Sequence, residues 1–257
     1  MPRLAANLSF LFTELPFLDR FAAAADAGFE AVEFLFPYEH AAETVKQCAQ
    51  AAGVEIVLFN LPPGDWDRGD RGIAVFPDRA EEFTQTLRQG IHYARTLQTR
   101  RLHLMAGLQP STSKTASARY IDAIGEACDR AAEAEITVLI EPLNQRDMPG
   151  YFLHDFEQAR AIIDQLGRSN LQLQFDIYHR QVLRGDVLRG LEQMLPVVGH
   201  VQIASVPHRN EPASGELNDL FILAELDRMG YSGFVGCEYR PRRSTLDGLG
   251  WRSLVSV

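Results

Sequence analysis

Eight short apolar runs alternate with longer segments of helical spacing, and this alternation limits the fold more than any other feature of the chain. The strand candidates are residues 4–12, 30–36, 55–61, 101–106, 136–144, 171–178, 200–205 and 234–239. Several are almost continuously apolar, Ile136-Thr137-Val138-Leu139-Ile140 most clearly. Strands buried on both faces of a helix-covered parallel sheet have this pattern. Between them, apolar residues recur at helical spacing over 17–27, 41–52, 78–97, 115–135, 155–166, 187–195 and 216–229. Gly28, Gly53, Gly167 and Gly230 stand where a helix would end just before the next strand, and a left-handed residue there closes the helix. Unbroken β/α units over 257 residues, with no Ser/Gly/Pro-rich linker, predict the α/β class and one (β/α)₈ barrel domain spanning 1–257. An open doubly wound sheet would carry a Gly-rich phosphate loop after its first strand. Here that segment reads Phe12-Thr13-Glu14-Leu15-Pro16.

Composition enters through what it excludes. A formal net charge of −9 repels phosphate backbones and argues against nucleic acid as a partner. Arg240, Arg242 and Arg243, with Arg100 and Arg101, form short clusters that read as solvated or anion-binding. Cys48, Cys128 and Cys237 are far apart and form no CxxC pair, so neither a zinc knuckle nor a disulfide framework is expected, and a reducing compartment fits. The start MPRLAANLSFLF lacks a long apolar stretch followed by a small-residue cleavage site. No run reaches the roughly 18 apolar residues of a membrane span. The expected location is cytoplasmic.

Barrel active sites lie at the C-terminal ends of the strands. Strand five ends Leu139-Ile140-Glu141, strand six Gln174-Phe175-Asp176, strand seven contains His200-Val201-Gln202, and strand eight Gly236-Cys237-Glu238. Neighbouring strands are about 4.8 Å apart, so these heads can converge. Glu141, Asp176 and Glu238 cannot be buried together as unpaired carboxylates without severe repulsion and desolvation. A divalent cation resolves this, and with Gln202 the ligand set is all oxygen, which suits Mg²⁺ or Mn²⁺ better than Zn²⁺. A single carboxylate at a strand end is more often a salt-bridge or helix-cap partner. It is the register of four on consecutive strands that favours a metal.

Other positions carry two readings each. The polar stretch 62–78 is a long loop after strand three, either a plain surface loop or a lid, and Trp66 favours the lid. His179 either contacts a substrate oxygen or caps a loop. Arg209, with His208 as a lesser alternative, either takes a substrate carboxylate or pairs with Glu211 at the surface. His103 either points into the barrel mouth or, the favoured reading, is a core or polar-packing residue.

Longer segments carry a resemblance. Glu141-Pro142-Leu143-Asn144, Phe175-Asp176-Ile177-Tyr178-His179, Gln202-Ile203-Ala204 and Cys237-Glu238-Tyr239 resemble the hydroxypyruvate isomerase family of xylose-isomerase-like TIM barrels. So do Asn60-Leu61-Pro62-Pro63-Gly64-Asp65-Trp66, Arg146-Asp147-Met148-Pro149-Gly150-Tyr151-Phe152, and Arg209-Asn210-Glu211-Pro212 with Gly215-Glu216. The resemblance runs along essentially the whole chain. It implies a metal-dependent isomerase interconverting hydroxypyruvate and tartronate semialdehyde, with one Mg²⁺ or Mn²⁺, a small hydroxy-oxo acid as substrate, and a homodimer. Glu141 and Glu238 would then both hold the metal and exchange the proton. A 2-oxo-tetronate isomerase is the near alternative. A ketose 3-epimerase is more distant, because those enzymes place His where this chain has Gln202. An abasic-site endonuclease would want several zinc ions and many histidines, and this chain has 7.

Overall fold

The computed structural model describes residues 2–254. Its parallel strands are β1 (Arg3–Asn7), β2 (Ala31–Phe34), β3 (Glu55–Asn60), β4 (Arg101–His103), β5 (Thr137–Ile140), β6 (Leu171–Asp176), β7 (Val198–Ile203) and β8 (Phe234–Cys237). They pair in chain order, and β1 pairs with β8 to close the barrel. Helices α1 (Arg20–Asp26), α2 (Ala42–Ala52), α3 (Ala80–Leu97), α4 (Lys114–Ala132) and α5 (Phe156–Leu166) follow the first five strands. Helices α6 (Ile177–Leu183) and α7 (Val187–Met194) follow β6, α8 (Asp219–Arg228) follows β7, and the short α9 (Thr245–Gly248) follows β8. This is the expected (β/α)₈ barrel. Gly28, Gly53, Gly167 and Gly230 all have positive φ, the backbone that their places before the strands require.

Two boundaries differ from the sequence expectation. The strands stop short of the apolar runs, since hydrogen-bonded pairing ends at the barrel rim while apolar residues continue into the loops. Strand six was also expected to reach Tyr178, whereas α6 begins at Ile177. The cause is Asp176, whose Oδ1 accepts from the backbone N–H groups of Tyr178 at 2.7 Å and His179 at 3.4 Å and so caps the helix.

Side chains alternate across each strand, and the inward face is layered. Ala5, Ala31, Leu58, Leu139 and Phe234 form a buried apolar cluster. Two residues further along the same faces stand Asn7, Glu33, Asn60, Glu141 and Gly236, so a polar layer lies directly above that apolar plug. The larger core packs the outward strand faces against the helices, with Phe21, Phe34, Phe59, Phe156 and Phe175 among its members. The three cysteines are free. Among the described residues, no helix is long and apolar enough to cross a membrane.

Candidate active site

Glu141 and Glu238 stand one residue beyond the ends of β5 and β8, and Asp176 ends β6 beside Gln202 of β7 in the strand register. All four are almost fully buried. A hydrogen-bonded chain links the two glutamates. Gln174 Nε2 donates to Glu141 Oε2 at 3.0 Å and to Gln202 Oε1 at 2.7 Å, while Gln202 Nε2 donates to Glu238 Oε2 at 2.5 Å. The same Gln202 nitrogen donates to Glu33 Oε1 at 2.7 Å. The Gln202 amide oxygen therefore faces Gln174, and ligation of a cation by Gln202 needs the opposite sense of the amide.

Glu33 is the centre of a second layer that the sequence reading did not single out. It is fully buried at the end of β2 and accepts from Asn7 Nδ2 at 2.9 Å, while its Oε2 lies 2.6 Å from His200 Nε2. Asn7 also reaches Glu238 Oε2 at 3.3 Å. Room for this carboxylate comes from Gly236, where a Cβ would sit 2.3 Å from both Glu33 oxygens. A buried Glu within an apolar strand and a glycine two residues before Glu238 were the available signals. Only the closed barrel brings β2 across to β7 and β8.

Burial sets the electrostatics. It raises the Glu141 carboxyl well above the usual range, and the charges of Glu238 and Asp176 push in the same direction. Burial also raises Asp176 against the pull of Arg209. Glu238 is pushed up to about 8 by burial, with Arg209 opposing and Asp176 and Glu33 adding. Arg209 supplies the compensating charge. Its Nη2 pairs with Glu238 and lies 3.4 Å from Asp176 Oδ2, and its guanidinium stacks over the rings of Tyr178 and Phe10. Arg209 also has a φ of 55°, a left-handed backbone uncommon for a side-chain-bearing residue. It does not pair with Glu211, whose Oε1 instead accepts from the Arg242 backbone.

His179 reaches the same point. One ligand atom each from Glu141, Asp176 and His179 lie within 4.8 Å of one another. However, His179 Nδ1 accepts from the Asn144 backbone N–H at 3.0 Å, which places the proton of the neutral ring on Nε2. Burial holds this histidine well below its ordinary range, so it is neutral. A protonated Nε2 is a hydrogen-bond donor rather than a metal ligand. His179 therefore offers an N–H to the site, 3.6 Å from Asp176 Oδ2.

These groups border a cavity of about 420 Å³ at the barrel mouth, lined by Glu141, His179, Arg209, Glu238, His103 and Trp66 among others. Trp66 stands on its rim, 36% exposed, against Phe36 and with Arg71 stacked 3.7 Å from its ring. The loop carrying it is anchored by buried Ile73, Ala74 and Val75 and by a two-pronged pairing of Arg79 with Asp70. Of the two readings of His103 the structure takes the barrel mouth: its ring lines the cavity, and among the described residues neither nitrogen has a hydrogen-bond partner.

The cluster of Glu141, Asp176 and His179 is compatible with a metal ion, and Glu141, Asp176 and Glu238 are buried near the cation Arg209, where added positive charge would offset their desolvation.

The model of the xylose isomerase-like TIM barrel family matches residues 21–253. The chain is 49% identical to the 2-oxo-tetronate isomerase of Cupriavidus necator, over 98% of this chain and 97% of that one. It is 41% identical to the hydroxypyruvate isomerase of Escherichia coli, over 98% of both. A crystal structure from Brucella melitensis, described as an AP endonuclease of family 2, superposes with a TM-score of 0.97 at 45% identity and covers 99% of both chains. A barrel closed in this order, a carboxylate site at its mouth and full-length similarity agree: the chain belongs to the xylose isomerase-like TIM barrel family.

Proposed function

We propose that this protein is an isomerase of short hydroxy-oxo acids, interconverting hydroxypyruvate and 2-hydroxy-3-oxopropanoate. The observation that carries the reading is the pair of buried glutamates, Glu141 and Glu238, bridged through Gln174 and Gln202 across one small cavity. The isomerase names of the two relatives support it. The 49% identity to a 2-oxo-tetronate isomerase makes the four-carbon acid the second candidate substrate.

The chemistry needs a base and an acid at adjacent carbons. Burial raises both glutamates and the charge of Glu238 raises Glu141 further, so the pair can present one carboxylate and one carboxylic acid. Glu141 takes a proton from C3, the C–H electron pair forms the C2–C3 double bond, and the carbonyl pair moves onto O2. The C2–C3 pair then takes a proton from Glu238 at C2, the O3–H pair forms the C3 carbonyl, and the O3 proton passes to O2. The two glutamates exchange these roles in the reverse direction. Gln174 and Gln202 hold both carboxylates in place. His179 Nε2–H donates to a substrate oxygen, and Arg209 is the cation suited to the substrate carboxylate. Glu141, Asp176 and Glu238 would hold one Mg²⁺ or Mn²⁺, with Gln202 as the fourth group only in the opposite sense of its amide, and the ion when bound would supply Lewis-acid stabilisation of oxygen charge.

A phosphodiester substrate fits poorly. The cavity is walled by carboxylates, His179 presents a donor rather than a lone pair, and the chain carries a net charge of −9. Assembly as a homodimer in the cytoplasm is part of the same proposal, and sedimentation at micromolar concentration checks the dimer. The function is tested by turnover of hydroxypyruvate and of 2-oxo-tetronate with Mg²⁺ or Mn²⁺ supplied. Conversion of one or both is expected, and conversion of neither overturns the reading.

A further inference from the structure

We propose that His103 is a catalytic residue, its Nε2–H donating a hydrogen bond to the substrate carbonyl oxygen next to the carbon that Glu141 deprotonates. This deepens the isomerase reading and rests on it.

The position of the ring carries the argument. His103 is the last residue of β4, 2% exposed, and pairs in register with Asn60 of β3, which lines the same cavity. Its neighbours Leu102 and Leu104 belong to the outer core, so strand alternation turns His103 inward. Among the described residues neither ring nitrogen has a hydrogen-bond partner. Nε2 lies 3.7 Å from Glu141 Oε2, too far for a hydrogen bond, and that oxygen already accepts from Gln174. A buried imidazole with neither nitrogen bonded costs stability. Leucine or methionine would fill the same place without that cost. The ring is therefore explained by a ligand that completes its bonding.

The chemistry identifies the ligand atom. The nitrogen facing a carboxylate oxygen is the one expected to carry the proton of the neutral ring. When Glu141 removes a C–H proton, negative charge appears on the carbonyl oxygen one carbon away. A substrate carbon in reach of Glu141 puts that oxygen beside His103. A neutral N–H stabilises the developing charge without surrendering its proton, so the proton remains with the glutamates. His179 at the start of α6, just after β6, and His103 at the end of β4 then supply two neutral donors from either side of Glu141.

Steady-state turnover and exchange of the C3 hydrogens of hydroxypyruvate with D₂O test this. His103→Leu is expected to lower kcat about 100-fold with KM changed less than about 3-fold, and to slow the exchange in parallel. Its thermal midpoint should equal or exceed that of the wild type. His103→Gln, which restores a side-chain N–H, should recover about 10-fold of the loss. An active wild type with a His103→Leu variant within about 3-fold of it in kcat and exchange overturns the proposal alone. So does a His103→Leu variant whose midpoint collapses while His103→Gln stays equally inactive. A wild type inert on both acids overturns the isomerase reading and this proposal together.

Discussion

Strands β5–β8 and strands β1–β4 both raise polar side chains to the barrel mouth, and the two halves use them differently. From β5–β8 come Glu141, Asp176, Gln202 and Glu238, all buried at the mouth, with Gln202 bonded to Glu238 and Arg209 as counter-charge to Glu238 and Asp176. From β1–β4 come Asn7 and Glu33, which are consumed by bonds within the barrel, and Asn60 and His103, which face the cavity. The first half holds reactive groups at raised proton affinity. The second half supports them from below at β1 and β2 and leaves neutral donors at β3 and β4. A buried carboxylate can thus serve structure or chemistry on the same ring of residues. Glu238 has Asn7, Gln202 and Arg209 on it and is set apart from Glu33 by lining the cavity, while between Glu33 and Glu141 the difference is the number of donors each already has. Glu33 is served by Asn7, Gln202 and His200, whereas Glu141 accepts a side-chain hydrogen bond from Gln174 alone among the described residues.

The largest test of this division is removal of either proton carrier. Glu141→Gln or Glu238→Gln should cut kcat by about 10³-fold or more while circular dichroism and thermal midpoint stay near wild type. A Glu141→Gln enzyme that keeps full activity would erase the distinction between the halves. Next comes the supporting carboxylate. Glu33→Ala strands the donors of Asn7, Gln202 and His200, and each buried unmet group costs about 1–3 kcal/mol. Urea unfolding should therefore show a loss of several kcal/mol. Gly236→Ala presses a methyl into the same carboxylate and should cost about 1–3 kcal/mol. If Glu33→Ala were as stable as wild type and merely inactive, the scaffold role would belong elsewhere.

The pH dependence of metal-free protein distinguishes the halves more gently. Glu238 is raised from 4.5 to about 8, and Glu141 and Asp176 are raised as well, so the folded state holds protons that the unfolded state has released. Where the folded state binds more protons, stability falls as pH rises. The thermal midpoint of metal-free protein should therefore decline between about pH 4.5 and about 8 and level off above. Added Mg²⁺ or Mn²⁺ should restore more of it at the upper end, where protons no longer compete. A midpoint that rises through this window would contradict the assignment of these carboxylates as uncompensated. The smallest effect is expected at the rim. Trp66→Ala should raise KM a few-fold and change stability by less than about 0.5 kcal/mol, as exposed positions do.

Legibility followed the same division. Glu141, Asp176, Gln202 and Glu238 break apolar runs at matching places on four successive strands, so a one-dimensional pattern exposes them. Strand six kept one ambiguity, because the same aspartate that faces the site also starts α6, and an apolar run cannot show where a strand hands over to a capped helix. Glu33 also interrupts an apolar run, in Ala31-Val32-Glu33-Phe34, but nothing nearby in sequence says that its partners are His200 and Gln202. Arg209 had two credible partners in sequence and took neither the near one nor solvent.

The sequence by itself determined the β/α alternation, the glycines that end helices, and the identity of the four oxygen-bearing heads, because periodicity and local backbone preference act over a few residues. The tertiary structure decided which heads are spoken for. Barrel closure places β2 against the products of β7 and β8, ties His179 to one tautomer through the Asn144 backbone, and leaves His103 facing a cavity with no partner. Those are statements about distances between residues as far as 169 positions apart, and no local pattern encodes them.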